Sequence, residues 1–201
     1  MEKQIDFFNG HFIFGGSFNP PTIGHVLMVK YLINEYNIKN FYILPSKSSK
    51  NKNDYIMTPA DRFELIKATF SEIKNIIVLD DEFKSDGINY TVDTLKKISE
   101  NNRLMKPLYF IIGMDQFNKF SSWKKPIEIL NYCDIIVLNR GGYNMEKNSI
   151  YELYPNKFHF IDSPVIEISS TYVRKLMKEN KDIRFFVTDK TYNLLGGIHV
   201  R

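Results

Sequence analysis

One string near the N-terminus, Gly15-Gly16-Ser17-Phe18-Asn19-Pro20-Pro21-Thr22-Ile23-Gly24-His25, combines the residue types that phosphate chemistry needs. Gly15 and Gly16 follow an apolar run, and a backbone without side chains lets N–H groups approach a ligand closely. Ser17 and Phe18 extend the same loop. The helix predicted to begin at about Thr22 offers free N–H donors and the positive end of its dipole, which together make an anion site. Thr22 and His25 stand about one helical turn apart, so both side chains can face one anion. Gly24, between them, leaves that space uncrowded.

A second group is Ile168-Ser169-Ser170-Thr171-Tyr172-Val173-Arg174. Hydroxyls and free amides at a helix start bind phosphate oxygens, and Arg174 shares a face with Ser170 and can reach the same phosphate. Alone, this group reads first as an ordinary serine N-cap with a solvated arginine. Paired with the first string it reads as half of a site. Phe110-Ile111-Ile112-Gly113-Met114-Asp115 ends a buried strand and places Asp115 to accept from sugar hydroxyls. Trp123, the one tryptophan of the chain, offers a flat face to an aromatic ring. Tyr90 and Thr91 open a helix whose amides suit an anionic substituent. Lys47, Lys50 and Lys52 follow the second strand candidate; each is a phosphate contact or a solvated loop lysine.

The first string resembles the signature of the HxGH/TxGH nucleotidyltransferases, and Ile168–Arg174 resembles that superfamily's second signature, ISSTxxR. Here Thr22 takes the first motif position, and Asn19 stands where bacterial members usually carry Asp, as in eukaryotic nicotinamide-mononucleotide adenylyltransferases. Phe110–Asp115 followed by Trp123 resembles the FIIGxD…W segment of the pyridine-mononucleotide branch, and Asn89–Leu95 resembles the SYTxDTL segment of the bacterial nicotinate enzymes. Lys52 falls at the lysine of the bacterial PPHK segment, whose Pro-Pro-His part is absent. The resemblance spans Phe12 to about Leu195.

It implies a Rossmann-like nucleotidyltransferase that joins ATP and nicotinate mononucleotide, giving deaminated NAD and pyrophosphate. His25, Thr22, Lys52 and Arg174 would be catalytic. Gly15, Gly16, Ser17, Phe18, Gly24, Ser169, Ser170 and Thr171 would hold ATP phosphates. Asn19, Tyr90, Thr91, Gly113, Asp115 and Trp123 would hold the mononucleotide. Mg²⁺ would travel mainly on the ATP phosphates, with no protein cage of its own. The alternatives are a nicotinamide or dual-specific enzyme, phosphopantetheine adenylyltransferase, and a nucleotide-binding regulator that has lost transfer.

The elements needed to gather these residues are legible as alternation. Strand candidates lie at 11–14, 41–44, 76–79, 107–112, 135–138 and 158–161. Helical patterns run from Thr22 to Tyr36 and from a Thr58 cap with Pro59 in first position. In that second helix Ala60, Phe63, Ile66 and Phe70 form the inner stripe. A further helix runs from a Thr91 cap to about Ser99, and another begins at Ser169–Ser170 with Val173, Leu176 and Met177 inside. Alternation of this kind predicts an α/β, doubly wound parallel sheet with ligands at the carboxyl ends of its strands. The expected organisation is a single domain over 1–201, with a core at 11–162 and a small C-terminal helical part at 163–201. The polar stretch Ser46–Asp54 reads as a loop.

Composition sets the outer bounds. The 201 residues are 43% hydrophobic and 25% charged, a globular balance. The net charge of +4 suits anionic small molecules and gives no argument for nucleic acid. No apolar run reaches membrane-span length, and Met1–Asn9 lacks a secretory layout. The single cysteine, Cys133, reads as a small core residue, which favours a cytoplasmic setting.

Overall fold

The apolar runs form six strands: β1 (His11–Gly16), β2 (Asn40–Pro45), β3 (Ile76–Val78), β4 (Leu108–Gly113), β5 (Asp134–Leu138) and β6 (Phe158–Ile161). All pair in parallel, in the order β3-β2-β1-β4-β5-β6. This is the Rossmann-like α/β sheet that alternation predicts. The computed structural model describes residues 9–47, 57–84, 89–100, 104 and 107–196. Lys50, Lys52 and most of the polar stretch 46–54 lie outside them.

The strand order reverses between β1 and β4. Chains leaving these two strands depart to opposite faces, and the crevice between them opens at their carboxyl ends. Gly15 and Gly16 close β1, and Gly113 closes β4, so both lie at that crevice.

The helices are α1 (Ile23–Tyr36), α2 (Pro59–Phe70), α3 (Thr91–Glu100), α4 (Met114–Phe117), α5 (Pro126–Tyr132), α6 (Ser149–Leu153), α7 (Ser170–Lys178) and α8 (Asp189–Leu195). Side chains of β4 alternate between two cores, as the pleat requires. Leu108, Phe110 and Ile112 join α3 and α5 on one face. Tyr109 and Ile111 join α1 and part of α2 on the other. A third cluster packs Val173, Leu176, Ile183, Val187 and Leu195 of the C-terminal part against Leu65 of α2 and Met57. Among the described residues no helix is long and apolar enough to cross a membrane. Cys133 is buried in the first core, and burial pushes its thiol far above the usual range.

Three local expectations shift. The inner face of α2 is Arg62, Leu65, Ile66, Thr69 and Phe70, whereas Ala60 is exposed and Phe63 only half-buried. The cause is that α2 is covered twice, by the sheet and by the C-terminal part, and Arg62 occupies a position that an apolar pattern would not assign. Thr91 is the first residue of α3 rather than its cap. The Asp93 and Thr94 amides bond to the carbonyl of Tyr90, which makes Tyr90 the capping position. Met177 is partly buried at the edge of the third cluster, while Val173 and Leu176 are fully inside.

Candidate active site

The turn from β1 into α1 is built around His25. The backbone N–H of Thr22 donates to His25 Nδ1 at 2.9 Å, and Thr22 Oγ1 lies 2.9 Å from the same nitrogen. Nδ1 therefore serves as an acceptor, and the neutral ring carries its proton on Nε2. Burial, and then the charge of Arg140, lower the His25 pKa to about 4, so the ring is neutral at ordinary pH. Phe18 takes a left-handed backbone (φ 44°), uncommon for an aromatic residue. That turn sends its ring inward, edge-on to His25 at 5.0 Å between centroids. Phe18 is thus core packing beneath the histidine, and only its backbone is available to a ligand.

The anion site at the start of α1 is narrower than expected. Ile23 N–H donates to the Phe186 carbonyl at 2.9 Å, and His25 N–H returns to the Thr22 carbonyl at 3.1 Å. The dipole end remains. Gly24 serves packing. A Cβ there would lie 2.8 Å from the Ile168 carbonyl oxygen and 3.2 Å from Ile166 Cγ2. Its bareness lets α1 sit against the segment that leads into α7. Thr22, fully buried, completes that contact, with Oγ1 donating to the Ile168 carbonyl at 3.3 Å.

The second signature meets the first through backbone. Ser169 caps α7 by accepting from Tyr172 N–H. Ser170 Oγ donates to the Pro20 carbonyl at 2.7 Å, and Arg174 Nη1 donates to the Asn19 carbonyl at 2.8 Å. Arg174 Nη2 donates to Thr171 Oγ1 at 3.1 Å. Ser170 and Arg174 both hold the Asn19–Pro20 turn. Asn19 itself is buried.

At the end of β4, Asp115 is buried and fully engaged. Its Oδ1 accepts from Arg140 Nη1 at 2.8 Å and its Oδ2 from Gln116 Nε2 at 2.8 Å. Gly113 leaves space for this carboxylate, since a Cβ there would lie 2.8 Å from Asp115 Oδ1. Trp123 packs edge-on to Phe110 and tilted against Phe120 and is partly exposed. Beside it, Lys124 Nζ lies 4.0 Å above the Tyr90 ring and pairs with Asp93 at 3.0 Å. Tyr90 and Thr91 are thus drawn near Trp123, more than thirty positions away in sequence, at the start of α3.

Three residues of this region escape sequence reasoning. Arg140 lies just past β5, bonds to Asp115, and by its charge acts on His25. Its signal was available, as a cation just after a strand end. Arg62 and Glu82 are buried at the loops leaving β1 and β2, and nothing in their local sequence separates them from surface charges. Lys52 lies outside the described residues; Lys47 is within them, its backbone bonded at both N–H and carbonyl. Among the described residues no group of three or more His, Cys, Asp or Glu is placed to hold a metal ion.

Comparison with known proteins agrees with this geometry. A family model described as cytidylyltransferase-like matches residues 13–176. A Clostridium novyi protein described as probable nicotinate-nucleotide adenylyltransferase is 34% identical over 184 residues, covering 89% of this chain and 92% of its own. One of the same description from Caldicellulosiruptor saccharolyticus is 35% identical over 182 residues, covering 89% and 91%. Solved structures of Plasmodium falciparum nicotinic acid mononucleotide adenylyltransferase share the fold. The complex with NaAD gives a TM-score of 0.74 at 20% identity over 94% of this chain and 95% of that one. The complex with APC gives 0.72 with the same identity and coverage. With the two signatures meeting at the β1–β4 crevice, the chain belongs to the nicotinate-nucleotide adenylyltransferase family of cytidylyltransferase-like nucleotidyltransferases.

Proposed function

We propose that this chain, acting as a single nucleotidyltransferase domain, joins ATP and nicotinate mononucleotide into deaminated NAD and pyrophosphate, a late step of NAD biosynthesis. The observation that carries the reading is Arg140, which bonds to Asp115 at the end of β4 while its charge depresses the His25 pKa. Phosphate and sugar recognition therefore share one electrostatic neighbourhood at the switch point.

A phosphate oxygen of the mononucleotide attacks the α-phosphorus of ATP in line. A new P–O bond forms as the α–β bridging bond breaks, and pyrophosphate leaves with the electron pair. Positioning and charge stabilisation supply the rate, with no covalent enzyme intermediate. Neutral His25 donates from Nε2 to the α- and β-phosphate oxygens as charge develops there. Gly15, Gly16, Ser17 and Phe18 offer backbone to the phosphates, while Thr22 fixes the imidazole. Ser170 and Arg174 hold the loop that carries Asn19, while Ser169 caps α7 and Thr171 accepts from Arg174. Lys52 remains a candidate contact to the triphosphate. Mg²⁺ would be carried by the ATP phosphates, where it would supply charge neutralisation; Asp115, already committed to Arg140 and Gln116, does not suit a metal. A cytoplasmic setting is part of the reading, since free ATP is available there and a buried Cys133 asks for no oxidising compartment.

The preference for nicotinate rests on the start of α3. The amides there offer donors and a dipole that suit a carboxylate. Lys124, held over Tyr90, is balanced by Asp93 at 3.0 Å, so the preference rests on the amides. An amide in the same place presents N–H to N–H, costing about 1–3 kcal/mol, or about five- to a hundredfold in specificity. Asn89, whose side-chain carbonyl would suit an amide, has its Nδ2 directed to the Glu82 carbonyl at 2.9 Å. The test is kcat/KM for the two mononucleotides under matched ATP and Mg²⁺. Parity, or preference for the amide, overturns the base assignment; equal turnover with phosphopantetheine rejects the branch.

A further inference from the structure

A buried arginine outside both signatures touches the phosphate loop. Arg62 of α2 is 0% exposed. Its Nη1 donates to the Ser17 carbonyl, directly after β1, and its Nη2 donates to the Lys47 carbonyl at 2.7 Å, directly after β2. One planar fork therefore fixes the exits of two neighbouring strands to each other. A lysine ammonium lacks the rigid geometry to do this. The Phe83 ring faces the guanidinium at 5.3 Å.

Glu82 continues the network. It is 6% exposed, and its Oε2 accepts the Lys47 N–H at 3.1 Å while Oε1 accepts from Thr94 Oγ1 of α3 at 3.4 Å. Its own carbonyl accepts from Asn89 Nδ2. Burial raises the Glu82 pKa, and the Lys47 and Thr94 bonds and the charge of Arg62 pull it back. The chain of contacts thus begins at Ser17, on the ATP side, and ends at Asn89 and Thr94, which flank Tyr90 and Thr91. A core needing only to be filled would be served better by apolar residues, because burying charges carries a desolvation penalty that pairing rarely recovers.

We propose that Arg62 and Glu82 are positioning residues that act as one brace, holding the phosphate loop of β1 in register with the mononucleotide pocket at the start of α3. The idea rests on the adenylyl-transfer reading above. Neither residue touches a reacting atom. Their work is to keep Ser17 and the α3 start at a fixed separation, where small misplacement of reacting groups is known to cost rate.

The test compares wild type, Arg62→Lys, Glu82→Gln and the double variant. Melting midpoints, kcat, KM for each substrate and calorimetric binding of Mg-ATP are measured for each. Both single variants are expected to stay folded, lose about tenfold or more in kcat, and keep KM for the mononucleotide within about threefold; Arg62→Lys, which loosens the Ser17 exit itself, is also expected to bind Mg-ATP about tenfold more weakly. The double variant is expected to be no slower than the worse single one, since parts of one unit are not additive. A merely structural role would lower the melting midpoint and leave kcat of the folded protein alone. If either folded single variant keeps kcat within about twofold of wild type, or if the two losses multiply, the brace is refuted. Should Arg62→Lys fail to fold, Glu82→Gln decides on the same criterion. Should wild type turn over no pyridine mononucleotide, the functional reading fails. The brace is then judged by Mg-ATP binding, where a loss of about tenfold in Arg62→Lys supports it and unchanged affinity overturns it.

Discussion

The backbone N–H of Thr22 donates to Nδ1 of His25 at 2.9 Å, so the residue that caps α1 also selects the tautomer of the histidine one turn later. The proton of the neutral ring is left on Nε2, the nitrogen facing away from the loop backbone. A ring held this way is a hydrogen-bond donor that does not first need to be charged. That suits a group that must meet phosphate oxygens across a broad pH range.

His25→Ala should therefore leave the fold in place and lower turnover by about a hundredfold or more, the scale for losing one transition-state donor. Circular dichroism and a urea midpoint check the fold; pyrophosphate release checks the rate. Near-normal turnover would remove His25 from the mechanism.

The lowered His25 pKa makes a separate statement about stability. In the unfolded chain the imidazole takes its proton at about pH 6.5, and in the folded protein only at about 4. Between those values the unfolded state binds more protons, so stability rises with pH. The contribution is complete above about 6.5 and is lost as pH falls towards 4, amounting to at most about 3 kcal/mol. Urea midpoints of wild type and His25→Gln, measured from pH 7 to 4.5, should diverge, with wild type losing more. Parallel curves would show that the ring titrates normally.

Gly24→Ala tests the contact between α1 and the segment before α7. The new Cβ would meet the Ile168 carbonyl at 2.8 Å, and a backbone atom cannot swing aside. A loss of about 1–3 kcal/mol is expected from this overpacking. Activity should fall as well, because Thr22 Oγ1 bonds to that same carbonyl. A variant as stable and active as wild type would mean that the segment yields freely.

Arg174→Ala separates two roles. If Arg174 works by holding the Asn19 carbonyl, its loss should lower stability by about 1–3 kcal/mol and kcat/KM by about tenfold or more. Ser170→Ala should follow in the same direction with a smaller loss, about 1 kcal/mol, since it removes one neutral bond to Pro20. Weakened ATP binding with unchanged stability would instead assign Arg174 to the phosphates.

The sequence by itself determined the sheet and the loops that carry chemistry. Continuous apolar strands such as Leu108–Ile112 and the Gly/Pro turn after β1 are local signals, because burial of a strand and the reversal of a chain are decided within a few residues. Strand–helix alternation then leaves few topologies, and both signatures fall at carboxyl ends in the one observed. Tertiary structure decided which partner each functional side chain meets. That Arg174 meets the Asn19 carbonyl, and that Gly24 lies against the Ile168 carbonyl, is set only by where α7 and the segment before it are laid. Arg62 is the plainest case. Its sequence context is that of a surface arginine on an amphipathic helix, and only a second layer packed on α2 buries it against the Ser17 and Lys47 carbonyls. Contacts between residues separated by dozens of positions depend on how whole elements stack, and no window along the chain contains that information.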